Sequence, residues 1–193
     1  VVRKLIEIDT AYPPLHALLA FCSQDDNFIA TNSIETALEL WPGEPDWHAF
    51  AAQLYVQDGQ YDLSAQHLEK ALEIQPNEPS YWELLGEVKL REKDFNAAKM
   101  YFAKACEIFP DNPEALLSLA QINKKLGEYQ SAVTCLEKAN ELQPTNIQVT
   151  EMLANTLLEK GDIDGTIQKA KKLLSMDESN VTAYLVYTKA LIL

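Results

Sequence analysis

The chain has 193 residues, of which 47% are hydrophobic and 23% are charged, a balance typical of a folded protein rather than a disordered one. Its formal net charge of −13 disfavours nucleic acid as a partner, because the phosphates would be repelled, and permits basic partners. No apolar run approaches the ~18 residues that span a bilayer, so we predict no membrane partner.

Cysteine and histidine are the residue types that most often carry metal or redox chemistry. Cys22, Cys106 and Cys135 show no metal-site spacing, and an odd count without a disulfide framework favours a reducing, cytoplasmic location. His48 is expected to pack or hydrogen-bond within a helix pair, and His67 to lie among polar neighbours. We therefore predict no metal site, no cofactor and, since no serine or cysteine has a base placed beside it by spacing, no catalytic activity.

The first part of the chain is the least regular. Residues 1–10 are predicted to be the tail of a preceding helix, because the segment LIEID resembles ALEIQ at residues 71–75. A degenerate repeat follows over 11–44, with one helix from Pro14 to Cys22 and a second that ends near Leu40.

A pattern with a 34-residue period organises the rest of the sequence. Prolines recur at that interval, and so do the residues of a turn between two predicted helices; these are Pro42, Pro76, Pro110 and Pro144, with Gly59, Lys93, Gly127 and Gly161. The clearest unit carries the landmarks Trp82, Leu85, Gly86, Phe95, Ala98, Phe102, Ala105 and Pro110. This order predicts pairs of antiparallel helices.

Three repeats are well formed and the later ones are not. Residues 45–78, 79–112 and 113–146 each begin with proline at the first helical position, where its missing N–H is harmless. Residues 147–180 form a degenerate repeat, and 181–193 a partial repeat or capping helix.

The last helix is predicted to be apolar around much of its circumference. We expect Tyr184, Tyr187 and Leu191 to pack on the fourth repeat, and Leu185, Ile192 and Leu193 to need further cover. Self-association through this helix, or contact with sequence outside a fragment of a longer protein, would supply that cover.

In these landmarks the chain resembles the tetratricopeptide repeat (TPR) family of binding scaffolds. The resemblance implies an all-α, right-handed superhelical solenoid of antiparallel helix pairs, with a concave groove lined by fixed positions of each first helix. The groove candidates that it implies are Asp46, Gln53, Val56, Glu83, Glu87, Leu90, Arg91, Leu117, Gln121, Lys124, Lys125, Glu151 and Asn155. The Lys/Asn/Arg clamp of members that bind chaperone carboxyl termini is absent from the matching positions.

Acids outnumber bases among the groove positions, and apolar residues lie between them. This mixture favours a basic, amphipathic protein or peptide segment as the partner. Another interpretation is that the acids are merely solvated and that binding occurs elsewhere. The predicted function is a non-catalytic protein-interaction scaffold; alternatives are a regulatory or targeting arm of a larger enzyme and a cytoplasmic secretion chaperone.

Overall fold

The computed structural model describes residues 10–193, and every regular element in that range is an α-helix. Thr10 lies in a turn, and the remainder of the predicted helix tail, residues 1–9, falls outside the described residues. The described helices form two compact units, which meet in the sequence between Asp94 and Phe95.

Within residues 10–94, the first unit has five helices joined by turns of three or four residues. They are α1 (Pro13–Cys22), α2 (Asn27–Leu40), α3 (Pro45–Gln57), α4 (Tyr61–Ile74) and α5 (Pro79–Arg91). Each helix packs on the next, and α3 also contacts α5. The core at one end of this unit is made by α1, α2 and α3; its larger buried side chains are Ile34, Leu38, Phe50 and Leu54.

The second unit contains six helices with the same succession of contacts. They are α6 (Phe95–Ile108), α7 (Pro113–Lys125), α8 (Tyr129–Leu142), α9 (Ile147–Lys160), α10 (Ile163–Met176) and α11 (Val181–Ile192). Leu136, Leu153 and Leu157 belong to a buried apolar cluster that joins α7, α8 and α9. A second cluster, which includes Leu173 and Val186, joins α9, α10 and α11.

Local chemistry explains where several helices start. Proline occupies the first helical position of α3, α5 and α7. Before α7, the Asn112 side chain accepts hydrogen bonds from the backbone N–H groups of Glu114 and Ala115, at 3.0 and 3.3 Å. Asp162 caps α10 in the same way, through a 2.9 Å bond from the N–H of Gly165. These side chains satisfy N–H groups that have no partner inside the helix.

The turns at residues 59, 93, 127 and 161 each contain a left-handed residue. Gly59, Gly127 and Gly161 have φ of 72°, 77° and 86°, and Lys93 takes the same conformation with φ of 64°. A Cβ added at Gly127 would meet nothing within 4 Å. The glycines of this column are therefore favoured by backbone conformation, and not by lack of space.

The contacts of α11 differ from the sequence prediction. Ala183, Val186 and Ala190 form its buried face, with Tyr187 partly buried beside them. Tyr184 and Leu191, which were expected to pack on the fourth repeat, are 52% and 62% exposed, so that prediction is wrong. Each lies one residue, about 100°, around the helix from a buried alanine, and the small alanines make the closest approach instead.

Candidate functional site

The first unit has a concave surface between α3 and α5, which we name the acidic groove. Its cavity of about 420 Å³ is lined by Phe21, Asp46, Ala49, Phe50, Gln53, Ser80, Tyr81, Glu83, Leu84 and Glu87. The structure thus brings together four of the predicted groove residues, Asp46, Gln53, Glu83 and Glu87. None of the described residues that line the cavity is lysine or arginine.

One acid of the groove also ties the two helices together. Asp46 on α3 accepts a 2.6 Å hydrogen bond from the hydroxyl of Tyr81 on α5. Burial of Tyr81 and, next, its bond to the Asp46 carboxylate raise the pKa of the tyrosine well above its usual value. The phenol therefore stays protonated and keeps donating, so this bond holds α3 and α5 together at one end of the groove.

An aromatic pair forms the α1 side of the acidic groove. The rings of Phe21 on α1 and Phe50 on α3 have centroids 4.2 Å apart, and Phe21 is still 42% exposed. Sequence reasoning missed Phe21 because α1 lies in the degenerate repeat, where no groove position could be assigned. Its place in the apolar pattern of Pro14 to Cys22 was the signal available.

A smaller cavity, which we name the inner pocket, continues from the acidic groove between α3, α4 and α5. It has a volume of about 250 Å³ and is lined by Ala52, Gln53, Val56, Gln57, Ser64, Leu68, Leu84, Glu87 and Val88. Gln53, Leu84 and Glu87 line both cavities. The predicted groove residue Val56 therefore lies in this deeper part of the site.

In the second unit, α7 and α9 line a further cavity of about 210 Å³. It brings together the predicted groove residues Gln121, Lys124 and Asn155. Nζ of Lys124 lies 2.8 Å from Oε1 of Glu159, so acid and base neutralise each other across this cavity. Its charge pattern differs from that of the acidic groove, whose lining includes Asp46, Glu83 and Glu87 and neither lysine nor arginine.

Five predicted groove residues line none of these three cavities: Leu90, Arg91, Leu117, Lys125 and Glu151. Three of them have other contacts. Lys125 places Nζ 5.1 Å from the centroid of the Phe95 ring, Glu151 accepts a 2.7 Å hydrogen bond from the side chain of Asn180, and Leu117 packs on the buried clusters of the second unit.

A buried hydrogen-bonded network, the histidine cluster, joins α2, α3 and α4. Nδ1 of His48 lies 3.0 Å from Nδ1 of His67, and Nε2 of His48 lies 3.0 Å from the Pro42 carbonyl oxygen. On the other side, Nε2 of His67 lies 3.1 Å from Glu35, which also accepts a 2.8 Å bond from the Tyr55 hydroxyl. The neighbours of His67 are polar, as predicted, but its ring is buried and turned inward towards His48.

The environment of the histidine cluster shifts the pKa values of three of its groups. Burial lowers the pKa of His48, so this ring is neutral and its Nε2–H donates to the Pro42 carbonyl. The hydrogen bond from His67 lowers the pKa of Glu35, and burial followed by the bond to Glu35 raises the pKa of Tyr55 to about 12. The cluster therefore acts as a structural link between helices.

Two negative findings concern the described residues. Within residues 10–193, no group of three or more histidine, cysteine, aspartate or glutamate residues is arranged to hold a metal ion. Across the same range, no helix combines the length and the apolar character that crossing a membrane would require.

The successive helix pairs, with their turn glycines and 34-residue period, define a tetratricopeptide repeat protein, a class whose members are generally non-catalytic interaction scaffolds. The model of one such family, the cytochrome c-type biogenesis protein H TPR domain, matches residues 65–184. The chain belongs to this family. A second tetratricopeptide repeat model matches residues 30–88. No curated protein sequence matches the chain.

Solved structures with a similar fold include three TPR proteins. YrrB, described as a TPR protein with an unusual peptide-binding site, has a TM-score of 0.77 at 18% identity, covering 97% of this chain and 98% of its own. MamA has a TM-score of 0.77 at 17% identity, covering 86% and 92%. PilF of Pseudomonas aeruginosa has a TM-score of 0.73 at 22% identity, covering 99% and 86%. At these identities the likeness shows the fold alone.

Proposed function

We propose that the chain is a non-catalytic scaffold whose acidic groove binds a basic, amphipathic segment of another polypeptide. The observation that carries this proposal is the composition of the groove, where Asp46, Glu83 and Glu87 line the same cavity as the apolar Phe21 and Leu84. The family description suggests that the bound polypeptide takes part in cytochrome c biogenesis. The peptide-binding site of YrrB supports a peptide as the ligand.

The two kinds of groove residue would have different effects on binding. Apolar side chains of the partner that contact Phe21, Phe50 and Leu84 would provide most of the affinity, because burial of apolar surface is the main favourable term. Glu83 and Glu87 would attract basic segments and repel acidic ones, so they set the association rate and the choice of partner.

A charge-reversal experiment tests the groove. Two short, fluorescently labelled peptides share the same leucines, and the remaining positions are lysine in one peptide and glutamate in the other. Their binding to the chain is measured by fluorescence anisotropy. The lysine peptide should bind better. The double variant Glu83→Lys/Glu87→Lys should bind it more weakly, and the difference from the natural chain should shrink at high salt.

Glu137 and Glu141 give a matched control, since both are exposed on α8, in the second unit, and lie one turn apart like Glu83 and Glu87. The variant Glu137→Lys/Glu141→Lys changes the net charge equally and should keep nearly all of the affinity. Circular dichroism should show equal helicity in all three proteins. If both double variants lose the same affinity, net charge and not the groove governs binding, and the proposal fails.

We also propose that α11 contacts a second copy of the chain through its outer face. Leu185, Ile192 and Leu193 are exposed there, so large apolar side chains of this helix face outward. Residues 181–193 include no aspartate or glutamate, so two copies could meet there with little of the repulsion that a charge of −13 produces elsewhere.

The compartment of this interaction stays a prediction. The cysteine pattern favours the cytoplasm, and the family description names a process and not a compartment. Labelling of the exposed Cys22 thiol in intact cells with reagents that do or do not cross membranes would test the location.

A further inference from the structure

The inner pocket has an apolar interior and a polar rim. Its floor is formed by buried residues, its walls by the half-buried Val56 and Leu84, and its rim by exposed polar side chains. The floor residues are Ala52, Ser64, Leu68 and Val88, and the rim residues are Gln53, Gln57 and Glu87. A side chain that enters from the acidic groove therefore passes apolar walls before it reaches the single hydroxyl of the floor.

That hydroxyl has no hydrogen-bond partner among the described residues. Ser64 is 0% exposed, and its Oγ is one of the few buried side-chain atoms without a partner. Buried polar groups are normally paired, so this unpaired hydroxyl beside a cavity is available to a ligand group that enters it. Water of hydration could occupy the site in the unbound protein and be displaced on binding.

Comparison with the equivalent positions of the other repeats shows that packing does not require this hydroxyl. At intervals of 34 residues from Ser64 stand Ala98, Ala132 and Thr166. The two alanines have no hydroxyl, and Thr166 donates its own to the Asp162 carbonyl oxygen at 2.7 Å. Among these four positions, Ser64 alone combines a hydroxyl with no partner and a place on the floor of the inner pocket.

We propose that the inner pocket receives one tyrosine side chain of the segment bound in the acidic groove, with the phenol hydroxyl hydrogen-bonded to Ser64 Oγ. The inference rests on the proposed function. It adds that the bound segment must contain a tyrosine, which anchors it in the inner pocket. A volume of about 250 Å³ is smaller than that of most small-molecule pockets. One side chain is an occupant of suitable size.

The chemistry of the pocket selects tyrosine over other side chains. Leucine or phenylalanine would fill the apolar walls but leave the Ser64 hydroxyl unpaired. Lysine or arginine would bring a charge to a floor that offers one neutral hydroxyl, and glutamine would bring more polar groups than that hydroxyl can satisfy. A phenol has an apolar body and one hydroxyl that both donates and accepts.

Small probes test the pocket without any peptide. p-Cresol and toluene, which correspond to the side chains of tyrosine and phenylalanine, are titrated into the full chain, and the methyl NMR signals of Val56, Leu68 and Leu84 are followed. p-Cresol should shift these signals and bind about two- to tenfold more tightly than toluene, the range expected for one hydrogen bond.

Two variants locate the effect. Ser64→Ala should abolish the preference for p-cresol while toluene still binds, and it should keep the fold, because alanine occupies the equivalent positions 98 and 132. Val56→Trp should block both probes. Equal affinities of the two probes for the natural chain, or a preference that survives Ser64→Ala, would overturn the assignment.

A peptide experiment separates this inference from the proposed function. The lysine–leucine peptide is made with tyrosine or with phenylalanine at one central position, and both forms are measured against the natural chain, Ser64→Ala and Glu83→Lys/Glu87→Lys. The tyrosine form should bind more tightly, through Ser64 only. If charge reversal weakens both forms but Ser64→Ala changes neither, the groove binds as proposed and the tyrosine inference is wrong. If charge reversal has no effect, the proposed function fails, and the inference about its bound segment fails with it.

Discussion

The turn at Lys93 gives the most direct test of how the repeats are built. Lys93 adopts φ of 64° where three equivalent turns have glycine, and this conformation costs a residue with a side chain about 1–2 kcal/mol. Glycine removes that cost but adds freedom to the unfolded chain, which offsets about 0.4–1 kcal/mol. We therefore expect Lys93→Gly to raise the free energy of unfolding by about 0.5–1 kcal/mol.

The reverse substitution makes the comparison symmetrical. Gly127→Ala should lower the free energy of unfolding by a similar amount, because the added Cβ meets no atom within 4 Å and only the backbone conformation is penalised. Urea unfolding followed by circular dichroism measures both changes. In thermal unfolding they should appear as shifts of about 1–4 °C in opposite directions.

Loss of the lysine charge is a separate effect and needs its own control. Lys93→Ala removes the same charge from a chain of net charge −13 but keeps a side chain in the left-handed conformation, so it should give no gain in stability. If Lys93→Gly is no more stable than Lys93→Ala, backbone conformation does not explain the glycine column, and the reasoning is refuted.

Three further predictions concern packing, pH and association. Phe102→Ala should cost about 3–5 kcal/mol, since that ring is only 2% exposed, and equal urea midpoints would disprove its core position. The folded pKa of both Glu35 and His48 lies below the ordinary values of 4.5 and 6.5, so the unfolded chain takes up these protons first on acidification. Stability should therefore fall as the pH drops below about 6.5 through His48 and below about 4.5 through Glu35, by at most about 1.4 kcal/mol per pH unit for each group. Below about pH 4.5, urea midpoints for Glu35→Gln should show a shallower fall than those of the natural chain. Leu185→Ser/Ile192→Ser should abolish concentration-dependent dimerisation in sedimentation; a natural chain that stays monomeric would exclude self-association.

The sequence predicts the helices well because their signals are local and repeated. The prolines that start α3, α5 and α7 and the glycine turn at residue 127 recur with the 34-residue period, so each repeat supports the assignment of the others. The periodic pattern also identifies buried positions such as Phe102 and Leu136, which occupy the same column of successive repeats. The all-α fold follows from these signals alone.

Other features depend on side chains that the repeat pattern does not relate to one another. The contact between His48 and His67 joins different columns, so the period gives no reason to expect His67 to be buried. Phe21 reaches the acidic groove from a degenerate repeat, and Ser64 has a buried, unpaired hydroxyl where Ala98 and Ala132 stand in later repeats. The repeat pattern therefore predicts neither the place of Phe21 nor the unpaired hydroxyl of Ser64.

The histidine cluster also has a consequence for how the protein responds to temperature. The contacts of α2, α3 and α4 include hydrogen bonds among Glu35, His48 and His67, whereas a leucine-rich cluster joins α7, α8 and α9. Apolar attraction weakens on cooling, and hydrogen bonding does not share that dependence. On cooling, helices α7 to α9 should therefore open locally before α2 to α4, which the histidine cluster still joins. Hydrogen exchange near freezing would show faster exchange of backbone amides in α7 to α9 than in α2 to α4.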